Sequence, residues 1–242
     1  MATPEPTGPG ERSWEERTRS TSSLFQIESH EWSAAAWERS ERWLAEIEAN
    51  LSLARGRLAY ERFLRSGPGG YPMPGASGDA AMPHFRRAAE LFRALGDDRG
   101  EREALFWVGT LEQVLHQDFP AAREALERSR DLCATTDLLV LSCVERHLGF
   151  VALLTGDPEG ASRHLEESVR LRRELRFWPG VALGLVALAE AALERRDVAE
   201  ARRRLDEAGT LAREHGAAGA LAAVGVARAE LERAAAEPAV PD

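Results

Sequence analysis

Histidine and cysteine are the side chains of this chain that could hold a metal or attack a substrate. The histidines are His30, His84, His116, His147, His164 and His215. They form no HExxH motif and no pair four residues apart, which argues against a metal site. The cysteines form no CxxC pair, although Cys143 precedes His147 by about one helical turn. A Cys–His pair without an orienting group or an oxyanion site is not a catalytic dyad, so we expect no enzyme, metal or cofactor.

The sequence also argues against binding of phosphate groups or nucleic acids. The chain has no lysine, which excludes a Schiff-base nucleophile, and the glycines of Gly67–Gly70 are not followed by a P-loop lysine. The net charge is −9, and short arginine runs alternate with glutamate as they do on solvated helix faces. These runs are Arg86–Arg87, Arg172–Arg173, Arg195–Arg196 and Arg202–Arg204. Without a basic stripe to neutralise phosphates, direct nucleic-acid binding is not expected.

A fourfold repeat predicts the elements that carry these side chains. In each copy an alanine is followed after four residues by a large apolar residue, after seven by a small one and after ten by leucine. The alanines are Ala81, Ala122, Ala161 and Ala201, so successive copies are 41, 39 and 40 residues apart. A fixed period of this length is typical of a solenoid, whose units bury their apolar faces against one another. The composition, rich in Ala, Leu, Glu and Arg, predicts an all-α protein.

The distribution of proline, glycine and tryptophan divides the chain into five segments. Residues 1–12 are predicted to be a disordered tail, 13–66 to be tryptophan-rich helices that include the first helix of a degenerate repeat, and 67–79 to be a loop. Residues 80–233 are predicted to hold the repeats and a capping helix, and 234–242 a second tail. The loop is either a flexible insertion or a small docking element centred on Tyr71 and Met73.

The tryptophan-rich segment carries an apolar stripe at three- and four-residue steps. The stripe consists of Trp32, Trp37, Trp43, Leu44, Ile47, Leu51, Ala54 and Leu58. It either caps the first repeat or forms a homodimer surface. The apolar last helix, residues 217–233, leaves the same two alternatives open.

Nothing in the chain predicts a membrane protein. Arginine and glutamate interrupt every apolar run, and Met1–Gly10 lacks the apolar centre of a signal peptide. We therefore expect a cytoplasmic protein whose thiols stay reduced.

The repeat units resemble the tetratricopeptide repeat, which combines a Leu-Gly pair in its first helix with Ala-x3-Phe in its second. The best match consists of Leu148–Gly149, Gly156–Asp157, Ala161, Leu165 and Ser168. The unit at Val108–Gly109 has one extra residue in its turn, and the period is near 40 rather than about 34. Repeats of this length are similar to those of bacterial regulatory solenoids. The resemblance implies a right-handed α-solenoid of antiparallel helix pairs with an N-terminal helical cap.

The resemblance also implies a binding groove lined by the first helix of each pair. Its positions in this chain are Glu103, Phe106, Thr110, Gln113, Arg146, Phe150, Leu153, Val186, Glu190 and Leu193. Only Arg146 remains of the Lys, Asn and Arg set with which the family clamps carboxylate tails, so a chaperone-type clamp is not expected. Arg146 with Phe106 and Phe150 could anchor an acidic-hydrophobic segment of a partner. Alternatively, both phenylalanines belong to the core between repeats.

The function expected from these features is non-catalytic interaction with a protein or peptide, as in a scaffold or adaptor. The alternative is a ligand- or peptide-sensing regulatory protein that switches a partner such as a transcription regulator. Solenoids of equal period carry unrelated surfaces, so the repeat itself does not identify the partner.

Overall fold

The computed structural model describes residues 34–66, 78–133 and 137–236, and these residues are helical with no β-strand. The chain divides into a short N-terminal unit, Met1–Arg42, and a larger unit, Trp43–Asp242. Of the first unit, only the opening turns of one helix are described. The prediction of an all-α protein is confirmed for the described residues. Residues 1–33 and 67–77, which include the predicted N-terminal tail and most of the loop, lie outside them, as do residues 237–242.

The described residues form nine α-helices. They are α1 (Ala34–Leu64), α2 (Met82–Leu95), α3 (Asp98–Leu111), α4 (Phe119–Asp131), α5 (Leu138–Leu154), α6 (Pro158–Glu174), α7 (Trp178–Glu194), α8 (Val198–Glu214) and α9 (Ala218–Ala236). From α2 onward each helix packs mainly on its neighbours in sequence, as expected for stacked helix pairs. A 3-10 turn, Asp79–Ala81, precedes α2, and a π-helix, Glu112–His116, extends α3. None of the helices in these ranges is long and apolar enough to cross a bilayer.

The turns between helices repeat the same chemistry. An aspartate side chain at the start of α3, α4, α6 and α8 accepts a hydrogen bond from a backbone N–H three residues later, at 2.8–3.1 Å. The residue before each of these aspartates has positive φ and ends the preceding helix. Gly156, Asp157 and Pro158 therefore have the roles that the sequence predicts: helix end, cap and first-turn residue.

The helices of each pair approach closely at the repeat positions. The alanines of the repeat and the large apolar residues that follow them are buried: Ala81, Phe85, Ala122, Leu126, Ala161, Leu165, Ala201 and Leu205. A Cβ atom added at Gly149 would lie 2.7 Å from Leu165 Cγ, and one at Gly109 would lie 2.6 Å from Leu126 Cγ. The Leu-Gly pair of the repeat is thus explained by space, because the second helix occupies the volume of the missing side chain.

Two serines of the repeat tie the second helix of a pair to the first. Ser129 Oγ donates to the carbonyl of Arg102 at 2.9 Å, and Ser168 Oγ donates to the carbonyl of Ser142 at 2.6 Å. Both hydroxyls are buried, so each bond gives a partner to a polar group that has no access to water. The small residue of the pattern therefore has a polar role in two copies and a packing role in the other two.

The extra residue of the second repeat lies inside the helix rather than in the turn. The π-helix at the end of α3 accommodates it, and Asp118 N–H bonds the carbonyl of Glu112, six residues back, at 3.0 Å. In the other repeats the equivalent bonds reach five residues back, from Asp157 to Ala152 and from Asp197 to Ala192. The aspartate cap is preserved in all three turns.

Helix α1 packs on the repeats through a face other than the predicted stripe. Its buried residues are Ala49, Ser52, Leu53 and Gly56, and a Cβ atom at Gly56 would lie 2.6 Å from the Phe85 ring. Gly56 therefore faces a large apolar residue of α2, as Gly109 and Gly149 face leucines of α4 and α6. The stripe residues from Leu44 to Leu58 are exposed instead. At the other end, α9 buries Val224 and Leu231 on the preceding pair and so covers it.

Replacing Gly149 by valine tests the close approach. We expect Gly149→Val to lower the free energy of unfolding by about 2 kcal/mol, because the new side chain overlaps Leu165 Cγ, which cannot move without shifting α6. Urea unfolding measures the loss. Gly225→Val is the matched control, since no atom lies within 4 Å of the Cβ position there. Equal stability of the two variants would contradict the packing argument.

Candidate functional site

The residues predicted to line a groove lie on the first helices α3, α5 and α7, but the structure buries some of them. Thr110 and Gln113 are 5% and 7% exposed, and Val186 is 6% exposed. Phe106, Arg146, Phe150, Leu153 and Glu190 keep part of their surface accessible. These five residues are called the first-helix face below. They combine access to solvent with apolar or charged side chains on neighbouring first helices, and Leu193 at the end of α7 is also partly exposed.

The buried positions on α3 have structural partners that remove them from a binding surface. Thr110 Oγ1 donates to the carbonyl of Phe106 at 2.8 Å, within the same helix. Gln113 Oε1 lies 2.7 Å from His147 Nδ1, so this amide ties α3 to α5. Glu103 is half-exposed but forms an ion pair with Arg57 of α1. The structure therefore leaves a smaller set of the predicted groove positions accessible.

Phe106 joins α3 to α5 through its ring. The ring centroid lies 5.3 Å from that of Trp107 and 5.5 Å from that of His147, with the planes of Phe106 and His147 near perpendicular at 77°. This edge-to-face geometry stabilises the contact between the two helices. Phe106 thus has a packing role, as the core alternative predicts, and still presents part of its surface.

Arg146 is the charged centre of the first-helix face. Its guanidinium carbon lies 4.5 Å from the centroid of the Phe150 ring, in cation–π contact. Burial lowers the pKa of Arg146, and the nearby charge of Arg172 lowers it further. No carboxylate of the described residues forms an ion pair with it. Arg146 is therefore a desolvated cation stacked on an aromatic ring.

Arg172 is a buried arginine that the sequence places wrongly on a solvated helix face. It is 5% exposed, and its Nη1 donates to the carbonyl of Gly180 at 3.0 Å while Nε contacts Ser142 Oγ at 3.5 Å. Burial lowers its pKa. The available signal was repeat alignment, because Cys133 and Ala212 are small, uncharged residues one period before and after.

Glu190 on α7 is the acidic member of the first-helix face. Burial raises the pKa of its carboxyl group, Glu230 on α9 raises it further, and Arg146 opposes the shift. Both carboxylates thus lie on the α7–α9 side, while Arg146 and Arg172 lie towards α5. The face is polarised along the direction of the stack, with positive charge where its aromatic rings are.

His147 is a structural histidine rather than the base of a Cys–His dyad. Its Nδ1 lies 2.7 Å from Gln113 Oε1, which fixes Nδ1 as the protonated nitrogen of a neutral ring. Burial lowers its pKa to about 3, and the charges of Arg146 and Arg172 act in the same direction. Cys133 and Cys143 are free thiols, and burial raises the pKa of Cys133. These groups show no activated nucleophile in the described residues.

A separate cleft of about 1060 Å³ lies on the opposite side of α3. Its floor includes Leu105, Val108 and Glu112, which are about 150° around the helix from the groove positions. Arginines from α2 and α4 line its walls: Arg86, Arg93, Arg123 and Arg128. Glu112 is buried and pairs with Arg86 at 2.6 Å, so part of this positive charge is neutralised.

Comparison with known proteins adds no relative on which to base a function. Neither the protein-family models nor the curated proteins match this chain. In the described residues, no group of three or more His, Cys, Asp or Glu side chains could hold a metal ion. The geometry of the first-helix face is therefore the basis for the functional proposal.

The buried neutral state of His147 predicts acid sensitivity. Because the pKa of His147 is lower in the folded than in the unfolded chain, its contribution to stability is present above about pH 6.5 and is lost as the pH falls towards 3. His147→Asn keeps a donor for Gln113 without a titrating ring. As the pH decreases, the free energy of unfolding of wild type should fall, relative to that of this variant, by up to about 1.4 kcal/mol per pH unit.

Urea unfolding between pH 7.5 and pH 4.5 (about one to two units either side of the unfolded histidine value) measures this difference. His84→Asn is the control, because His84 lies on α2 outside the cluster around Arg146. If wild type and His147→Asn lost stability in parallel, His147 would not be a buried neutral ring.

Proposed function

We propose that this chain is a cytoplasmic, tetratricopeptide-like α-solenoid that acts as a non-catalytic interaction module. It binds an acidic-hydrophobic segment of a partner protein on the first-helix face, in the manner of a scaffold or adaptor. The observation that carries the proposal is Arg146, a half-buried cation stacked on Phe150. Stacked helix pairs with an exposed face of first helices suit this role.

The environment of Arg146 favours an anionic ligand. A charge that has lost part of its hydration and has no ion pair gains more from a carboxylate than a solvated arginine does. The cation–π contact holds the guanidinium with its edge available for hydrogen bonds. Arg172 beside it increases the positive potential, although its own donors are occupied by Gly180 and Ser142.

The apolar surface around Arg146 favours a ligand with hydrophobic side chains next to its acidic group. Phe106, Phe150 and Leu153 are each partly exposed and are fixed by packing on core clusters beneath them. Rigid aromatic side chains bind with little loss of conformational entropy. An extended peptide or an amphipathic helix presents this combination of groups at regular spacing.

Charge reversal at Arg146 tests the proposal. We expect Arg146→Glu to weaken capture of partner proteins from lysate, and binding of acidic-hydrophobic peptides from an array, by about tenfold or more. Arg146→Gln should have a smaller effect of the same sign. The control is Arg163→Glu, which makes the same charge change on an exposed position of α6.

Circular dichroism checks that each variant remains helical, so that loss of binding is not loss of fold. If Arg146→Glu bound the same proteins and peptides as wild type, or if Arg163→Glu lost them equally, the first-helix face would not be the binding surface.

The cleft beside α3 supports a second candidate function, a sensor of a small molecule or signalling peptide that switches a partner such as a transcription regulator. Its volume is at the upper end of small-molecule sites, and four arginines and five carboxylates line it. A ligand there would raise the melting temperature of the chain in proportion to its concentration over Kd. Arg123→Gln would abolish this rise, whereas Arg146→Glu would leave it intact.

A further inference from the structure

Helix α1 has two apolar faces, of which the repeats cover only one. Ala49, Ser52, Leu53 and Gly56 are buried against α2 and its neighbours. On the opposite side, Leu44, Ile47, Leu51 and Leu58 are 57%, 44%, 45% and 51% exposed. Four large aliphatic side chains aligned on one exposed helix face are a marker of an association surface.

The exposed face has the spacing of a coiled-coil seam. Leu44, Leu51 and Leu58 are seven residues apart, and Ile47 and Ala54 follow the first two of them by three residues. These are the a and d positions of two consecutive heptads and the a position of a third, whose d position is Glu61. The buried residues of α1 occupy positions b, c and f, so the seam points away from the body that α1 covers. A second helix can lie along it without displacing α2 or α3.

The charges that flank the seam change sign along the helix. Glu48 and Arg55 occupy successive e positions. In an antiparallel pair of identical helices, e positions face e positions across the seam. With Leu51 of one copy packed beside Ala54 of the other, Glu48 of each copy lies about 3 Å along the axis from Arg55 of its partner. We propose that α1 pairs antiparallel with α1 of a second copy of this chain, through Leu44, Ile47, Leu51, Ala54 and Leu58.

Other arrangements of the same two helices place like charges together. Sliding the antiparallel pair by one heptad brings Glu48 opposite Glu48, or Arg55 opposite Arg55 in the other direction. A parallel pair aligns Arg57, at a g position, with Arg62, at the following e position. The charge pattern therefore selects one orientation and one register, which is the usual role of e and g residues.

The contacts of the flanking charges within one copy are compatible with this pairing. Glu48 Oε1 accepts from Arg87 of α2 at 2.8 Å, which holds the carboxylate at the edge of the seam. Both side chains of that pair remain about half-exposed, so a second guanidinium can reach the same carboxylate. Arg57, on the other edge, is paired with Glu103 of α3.

Charge reversal and restoration test the register. Sedimentation equilibrium of the full chain should show a dimer, and Arg55→Glu should raise its dissociation constant by about tenfold or more, because Glu48 then faces a carboxylate. The double variant Glu48→Arg with Arg55→Glu restores opposite charges and should regain most of the affinity. Arg202→Glu, an exposed change on α8, should leave the dimer unchanged.

Two further variants test the seam and its direction. Leu51→Glu should raise the dissociation constant about a hundredfold with unchanged helicity, since Leu51 is exposed in the single chain. Ala54→Cys lies near the two-fold axis and should cross-link through a short bismaleimide. Leu44→Cys should not, because the antiparallel register places its two copies roughly 25 Å apart. In a parallel pair both cysteines would cross-link.

Each of four outcomes overturns the proposal. They are a wild-type chain that is monomeric at high micromolar concentration, a dimer indifferent to Leu51→Glu, a double variant no tighter than Arg55→Glu, and efficient cross-linking at position 44. If the chain were monomeric, the seam would instead be a binding surface for another segment of this chain or for a different protein. Failure of the dimer leaves partner binding at Arg146 unaffected, because that site lies on α5.

Discussion

The close approach of the two helices in each pair is the constraint on which the rest of this structure depends. Where a glycine of the first helix faces a large apolar residue of the second, as at Gly149 and Leu165, the backbones come near enough for the repeat alanines to be fully buried. Ala189, at the equivalent position of the next repeat, is fully buried in the same core cluster as Leu205. The outer sides of the first helices remain free for larger side chains, and these side chains form the candidate binding face.

Buried polar and charged side chains distinguish the repeats from one another. Glu145 is buried where the neighbouring repeats have leucine, and it meets His164 at 2.7 Å. Arg102 is buried and pairs with Asp137 at the start of α5, and its Nε has no partner. Such pairs contribute little net stability, since desolvation offsets attraction, but an incorrect neighbour would leave a charge buried alone. They therefore favour one order of stacking among units whose apolar patterns are nearly interchangeable.

Periodicity in the sequence predicts the helix pairs, their caps and the helices that carry the candidate site. It does not predict which boundary side chains are buried, because that depends on residues one repeat away. Thr110, Gln113 and Arg172 all lie at such boundaries, and each is buried by a partner on its own or an adjacent helix. The stripe on α1 shows the same limit. In a helix with two apolar faces, the spacing of apolar residues does not show which face packs on the repeats. Only the packed structure shows this.

The π-helix at the end of α3 accommodates an inserted residue and also carries a side chain that links two repeats. The π-helix accommodates the extra residue within one turn. The helix pairs that follow Asp118 therefore keep the same caps and packing as the other repeats. The same turn carries His116, whose Nε2 lies 2.9 Å from Asp79 and whose Nδ1 lies 2.7 Å from Glu112. Asp79 is where the chain enters the first repeat's second helix. The π-helix therefore holds the start of the first repeat's second helix against the second repeat, at a point outside the apolar core.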